Sequence, residues 1–160
     1  MINNDIKEIK DSLFSIAPYI FSNRPVLFAY LYGSYATGNV HPFSDLDIGV
    51  YIDDVPDLKY LELELSLSLE IDAKIESDVR TEVRIINNLP LVVIGNIITE
   101  GSLIYSINEN IRVDFEVYVR KAYFDFLPVI RRYQNTYTDS AVCWGKSSGE
   151  QYGFFWKSYI

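Results

Sequence analysis

Apolar residues in the first twenty positions recur at the spacing of a helix. The residues that form this pattern are Ile6, Ile9, Leu13 and Ile16. Asn3 and Asn4 precede them, and either side chain is suited to an N-cap. We predict a helix from about residue 4 to residue 16, ended by Pro18, because proline lacks the amide hydrogen that a helix interior needs.

Three short apolar segments have the pattern of strands. Residues 26–32 form a continuous apolar run that stops at a glycine, which is typical of a buried strand. Residues 45–52 alternate between polar and apolar positions, and residues 81–86 do the same. Glycine, asparagine, histidine and proline lie between the first two segments and predict a loop there.

The segment LELELSLSLEI, residues 61–71, fits two different elements. Strict alternation predicts a strand, but leucine and glutamate favour helices and are poor strand formers. Four leucines, Leu58, Leu61, Leu65 and Leu69, also fall on one helical stripe. We predict a helix whose leucine stripe belongs to the core.

The C-terminal half predicts two further helices. The first covers residues 89–100 and ends at Gly101, since glycine is a natural helix stop. The second is long, with Asn108 as its N-cap and Pro128 as a kink or an end. We interpret its aromatic side as core, with part left over for a partner; the residues are Phe115, Tyr118, Tyr123 and Phe126.

This order of elements predicts an α/β (α+β) fold, in which a small mixed β-sheet is backed by helices and followed by a long C-terminal helix. The length of 160 residues is that of one domain. We assign residues 1–135 to this domain. Residues 136–160 form a C-terminal tail, because their aromatic residues follow no period.

Composition excludes several classes of protein. The net charge of −8 argues against direct binding of nucleic acid, which needs clustered lysine and arginine. The single cysteine cannot form an internal disulfide, and no Cys/His group has zinc-site spacing. No signal peptide and no membrane-spanning run of about 20 apolar residues are present. We expect a soluble, cytoplasmic protein.

Three carboxylates lie on two of the predicted strands. Asp45 and Asp47 are two residues apart and share a strand face, and Glu82 lies on the third strand. Three neighbouring carboxylates raise one another's pKa, and a hard cation such as Mg²⁺ removes the conflict. A solvated strand end for the aspartates, and an ion pair of Glu82 with Arg80 or Arg84, are the plain alternatives.

The segment GSYATGNVHPFSDLDIGV, with its G-S-x10-D-x-D spacing, resembles the signature of the DNA polymerase β-type nucleotidyltransferase superfamily. The short chain looks like its minimal nucleotidyltransferases of the MntA type, which are antitoxins encoded beside HEPN-domain RNase toxins. The resemblance implies that Asp45, Asp47 and Glu82 are catalytic and hold Mg²⁺, with two ions expected. It implies that Gly33 and Ser34 bind the triphosphate of ATP.

By resemblance, the activity is transfer of AMP to a tyrosine of a cognate HEPN (HepT-like) toxin, in a hetero-oligomer with that toxin. A non-catalytic antitoxin that acts by binding is one alternative. A nucleotidyltransferase acting on a small molecule such as an aminoglycoside is another. The chain departs from its relatives at two positions, with Thr37 where many carry a basic residue and Glu82 where aspartate is more usual.

Overall fold

The computed structural model describes residues 2–53, 55–75 and 77–144, and side chains among them from residue 6 to residue 133. The strands are β1 (Val26–Tyr32), β2 (Leu46–Ile52), β3 (Thr81–Ile85) and β4 (Ser102–Ser106). The helices are α1 (Ile2–Phe21), α2 (Gly33–Thr37), α3 (Tyr60–Lys74), α4 (Leu91–Glu100) and α5 (Glu109–Trp144). A 3₁₀ turn, Asp57–Lys59, precedes α3. None of the helices among the described residues is long and apolar enough to cross a membrane.

The four strands form one mixed sheet in the order β3-β2-β1-β4. Strand β1 is antiparallel to both β2 and β4, whereas β2 and β3 are parallel. The predicted small mixed sheet is therefore confirmed. Sequence analysis missed β4, a five-residue strand whose pattern is weak by itself. It forms because β1 offers a free edge directly beside the end of α4.

Helices cover both sides of the sheet. One cluster of buried residues packs α1 and α3 against strand side chains such as Leu31, Ile48 and Val50. The other packs α4 and α5 against Phe28 and Tyr30. The fold is therefore three layers, with helices on both faces of the sheet, as predicted for an α/β protein.

Helix α1 does not end at Pro18, so that prediction was wrong. The helix continues to Phe21, and the Ser22 amide donates to the Pro18 carbonyl at 3.2 Å. Proline removes one backbone hydrogen bond, but Ala17, Ile20 and Phe21 around it are almost wholly buried. Burial of these apolar side chains outweighs the lost bond, since each large one contributes about 1.5–3 kcal/mol.

Helix α3 confirms the helical interpretation of LELELSLSLEI, but the predicted core stripe was wrong. The side chains of Leu58, Leu61, Leu65 and Leu69 are 56–98% exposed. Leu67 and Ile71 are the buried residues. Residues two apart in a helix point about 200° from one another. Strict alternation therefore builds two leucine stripes on opposite sides, and the pattern alone cannot select the inner one.

The edge of the sheet decides how α3 is rotated. Glu64 Oε1 accepts the Ile85 amide at 2.8 Å, and Ser68 Oγ accepts the Val83 amide at 3.1 Å. One turn later, Asp72 Oδ1 accepts the Thr81 amide at 2.8 Å. Together these three polar residues satisfy the outward amides of edge strand β3, which unpaired would invite aggregation. The helix side that carries them sets which leucines face the core.

Helix α5 begins as predicted and continues further than predicted. Asn108 caps it, since its Oδ1 accepts the amides of Asn110 at 3.1 Å and Ile111 at 3.2 Å. Pro128 lies inside the helix and does not end it. The helix crosses the predicted domain boundary at residue 135 and reaches Trp144. The rest of the tail, 145–160, lies outside the described residues, so the boundary stays a prediction.

The aromatic side of α5 is core only in part. Phe115 packs on Phe28 and Tyr51, with ring centres 5.3 and 4.6 Å apart. Tyr118 and Phe126 are exposed, so their assignment to the core was wrong. Tyr118 points about 100° away from Val119, the residue of α5 that is buried against the sheet.

Candidate functional site

Three polar side chains form a row across the sheet where β1 ends and β2 and β3 begin. Tyr32 pairs with Asp47 in the antiparallel register, and Asp47 pairs with Glu82 in the parallel register. Directly paired residues share a face of the sheet. Asp45 lies two residues before Asp47, just ahead of β2. The fold thus brings Asp47 and Glu82, 35 positions apart in sequence, into direct register, as the carboxylate hypothesis required.

Gly33 connects this row to the first turn of α2. Its φ of +70° is in the left-handed region, where only glycine is free of strain. A Cβ on Gly33 would lie 2.2 Å from Asp47 Oδ2, closer than any non-bonded contact allows. The backbone of the predicted Gly33-Ser34 element therefore lies against the predicted carboxylate, and a side chain at position 33 would strain the backbone and displace Asp47.

The electrostatics of the row favour a bound cation. The pKa of Asp47 is raised to about 6, mainly by burial and in smaller part by the nearby Glu82 and Asp45 carboxylates, while Arg84 opposes them. Burial and the Asp47 carboxylate likewise raise the pKa of the Tyr32 hydroxyl. Negative charge is thus held in a partly desolvated place, which a cation would stabilise.

Glu82 is paired with a neighbour on its own strand. Arg84 Nε donates to Glu82 Oε1 at 2.7 Å, and the two side chains form an ion pair. This is one of the plain alternatives that the sequence left open for Glu82. Sequence analysis did not count Arg84 among the site residues, although its position two residues after Glu82 places it on the same strand face.

A protein-family comparison identifies the fold. The family model described as "Polymerase beta, Nucleotidyltransferase" matches residues 15–110, a span that includes β1, α2, β2 and β3. The chain belongs to the polymerase β nucleotidyltransferase family. The resemblance of the G-S-x10-D-x-D segment to nucleotidyltransferases is therefore confirmed at the level of the family. A comparison with curated proteins found no match.

Solved structures with the same fold include toxin–antitoxin complexes. One, with AMP-PNP, has 16% identity and a TM-score of 0.57, and the match covers 81% of this chain and 98% of that one. Another is tri-AMPylated Shewanella oneidensis HEPN toxin in complex with MNT antitoxin. That match has 17% identity and a TM-score of 0.54 and covers 81% of this chain and 96% of that one. At these identities the likeness shows the nucleotidyltransferase fold.

Among the described residues, no group of three or more His, Cys, Asp or Glu side chains is arranged to hold a metal ion. Mg²⁺, however, is commonly held by only one or two carboxylates together with phosphate oxygens and water. The raised pKa of Asp47, caused partly by Glu82 and Asp45, marks a place where such a cation fits.

The surroundings of Asp45 and α2 show what else a nucleotidyltransferase substrate would meet. Thr37 Oγ1 is close to the Gly33 and Ser34 carbonyls, at 3.2 and 3.4 Å, so the side chain bonds within α2. A cleft of about 550 Å³ opens beside Asp45, and its lining includes the apolar Ile6, Ile9 and Val79 as well as His41 and Arg80. The cleft offers space next to Asp45, whereas Asp47 and Glu82 are not among its lining residues.

Proposed function

We propose that this nucleotidyltransferase is an antitoxin that transfers AMP from ATP to a tyrosine of a cognate HEPN-domain RNase toxin. The observation that carries the proposal is the contact of Gly33 with Asp47, in register with Glu82. This contact places backbone amides that can bind phosphate next to a pair of carboxylates. Nucleotidyl transfer needs both groups at one place. The similar toxin–antitoxin structures, one with AMP-PNP and one with an AMPylated toxin, support the choice of partner.

Different groups of the protein would bind the metal ion and the triphosphate. Asp45 and Asp47 would hold Mg²⁺, which supplies the positive charge that neutralises the triphosphate and the departing pyrophosphate. The amides at the start of α2 have no partners within the helix, so those of Gly33 and Ser34 are available to phosphate oxygens. The Ser34 hydroxyl adds one more donor.

Glu82 would serve as the base for the acceptor hydroxyl. The tyrosine oxygen forms a bond to the α-phosphorus of ATP, the bond from that phosphorus to the bridging oxygen breaks, and pyrophosphate leaves. The hydroxyl proton passes to the Glu82 carboxylate and then to water. For this step Glu82 must turn from Arg84 toward the acceptor hydroxyl.

The test is the intact mass of the HEPN protein after incubation with this chain, ATP and Mg²⁺. We expect gains in whole AMP units that disappear with Asp45→Asn/Asp47→Asn and with a chelator. Asp53→Asn, at the other end of β2, is the matched control and should transfer AMP normally. Peptide mapping should place the modification on tyrosine.

A binding antitoxin without turnover is the second candidate. Its supporting observation is that Glu82 is already paired with Arg84 and that the carboxylates do not form a complete metal site among the described residues. Under this alternative, Asp45→Asn/Asp47→Asn would still form the complex and inhibit the RNase. Unchanged toxin mass together with inhibition by that variant would replace the first proposal by the second.

A further inference from the structure

Helix α3 carries an apolar row on the side turned away from its own core. Leu67 and Ile71 face the sheet and are buried. The opposite side carries Leu61, Leu65 and Leu69, and Leu58 in the preceding 3₁₀ turn extends the row; we call these four residues the outer leucine stripe. Every member is at least 56% exposed, and Leu58 is 98% exposed.

The outer leucine stripe differs from ordinary exposed leucines in its continuity. Single exposed apolar residues are common, whereas a contiguous apolar row on a surface marks a contact site. Its steps of three, four and four residues are those of a seam along which two helices pack. A helix that is apolar on opposite sides is typical of one buried between two layers.

The stripe cannot be buried by a rotation of α3 within the chain. Glu64, Ser68 and Asp72 bind the amides of β3 from a third side of the helix. Turning the leucines inward would break these three hydrogen bonds and leave the edge amides without acceptors. The outward direction of the stripe is therefore held by the fold.

Charge indicates what covers the stripe. Helix α3 contains four acidic residues and one lysine, and the whole chain has a net charge of −8. A second copy would bring the same acidic helix and be repelled, while a partner rich in lysine and arginine would be attracted. An enzyme that binds RNA needs such basic residues to meet the phosphates.

We propose that the outer leucine stripe docks a helix of the HEPN toxin, whose apolar side is flanked by lysine and arginine. This inference rests on the proposed function for the identity of the partner. It adds the surface that the partner contacts, which lies on the opposite side of α3 from the core. Hydrophobic contact would supply affinity, and Glu62 beside the leucines, together with the net negative charge of the chain, would steer and orient the basic helix.

The test compares two sets of substitutions in binding to the purified HEPN protein. Leu61→Gln/Leu65→Gln/Leu69→Gln removes the stripe with a good helix former. Val113→Gln/Val117→Gln/Val129→Gln, on the similarly exposed side chains of α5, is the matched control. We expect the stripe variant to weaken binding about tenfold or more and the control about threefold or less.

Two further measurements separate docking from folding. Circular dichroism and AMP-PNP binding should be unchanged in the stripe variant, because none of its three positions lies in the site. Glu62→Lys should also weaken toxin binding several-fold, since it adds a positive charge beside the leucines. Loss of toxin binding with retained AMP-PNP binding is the supporting result.

Three results would overturn the inference, and they are distinguishable. Wild-type toxin affinity in the stripe variant would exclude the stripe while leaving the proposed function intact. A dimer of this chain in light scattering that the stripe variant converts to a monomer would assign the stripe to a second copy. A wild-type chain that neither binds nor modifies the HEPN protein would remove the partner and, with it, the proposed function.

Discussion

The two faces of the sheet are used differently. The face under α1 and α3 is sealed, and strand residues such as Leu31, Ile48 and Val50 have no exposed surface. The face under α4 and α5 is covered at Phe28. It is open at the row of Tyr32, Asp47 and Glu82, where Asp47 and Glu82 remain partly exposed. The face under α1 and α3 therefore contributes to stability through apolar burial. The face under α4 and α5 has less apolar burial, because carboxylates occupy part of it. This comparison predicts where substitutions destabilise the protein and where they stabilise it.

The largest effect should come from the sealed face. Leu67→Ala removes a fully buried side chain from α3, and we expect the free energy of unfolding to fall by about 3 kcal/mol. Leu65→Ala, two residues earlier on the outer stripe, should change it by less than about 0.5 kcal/mol. Urea denaturation of both variants measures the difference. Similar losses of unfolding free energy in Leu67→Ala and Leu65→Ala would show that α3 presents a different side to the core than in the structure.

The packing of α4 on α5 should give the next largest effect. A Cβ on Gly95 would lie 2.2 Å from the ring of Tyr123. Alanine is favoured over glycine in a helix by about 1 kcal/mol, but overpacking costs about 1–3 kcal/mol. We expect Gly95→Ala to lower the free energy of unfolding by about 1–2 kcal/mol.

The control for Gly95→Ala is the same substitution in a Tyr123→Leu background. There the ring is gone, so alanine should be neutral or stabilising in urea denaturation. An equal loss in both backgrounds would place the strain elsewhere in α4.

The one effect of opposite sign belongs to the row of Tyr32, Asp47 and Glu82. The pKa of Asp47 is raised in the folded protein, so the native state binds its proton more tightly than the unfolded state does. Stability contributed by this group therefore falls as pH rises from about 4 to about 6 and stays low above that. Asp47→Asn should stabilise the metal-free protein by about 1–2 kcal/mol at pH 7, after solvent screening is allowed for.

Thermal unfolding of Asp47→Asn and wild type between pH 4 and pH 8, without Mg²⁺ or nucleotide, measures this difference. The gain should disappear below about pH 4, where the wild-type carboxyl is also neutral. Asp53→Asn, at an exposed position directly after β2, is the control substitution in this series. A loss of stability in Asp47→Asn at pH 7 would mean that the ionised carboxylate is stabilised by contacts that the structure does not show.

Sequence reasoning succeeded where the determinants are close along the chain. The segment from β1 through α2 to β2 is continuous, and its Gly-Ser and Asp-x-Asp elements follow from local spacing. Asn108 was found as a cap because a cap depends only on the next few residues. Prediction failed where a distant partner decides, as at Pro18, in β4 and at the exposed aromatic residues of α5.

Among the described residues, the sequence alone determined four of the five α-helices, three of the four strands and the family signature that the chain carries. Only the tertiary structure decided which leucine stripe of α3 faces inward, since that choice depends on the amides of β3. It also decided that Glu82 lies beside Asp47 and pairs with Arg84. The physical reason is the same in each case. Periodicity in the sequence shows which residues share a face of a helix or strand, but the elements that pack against it determine which face is buried.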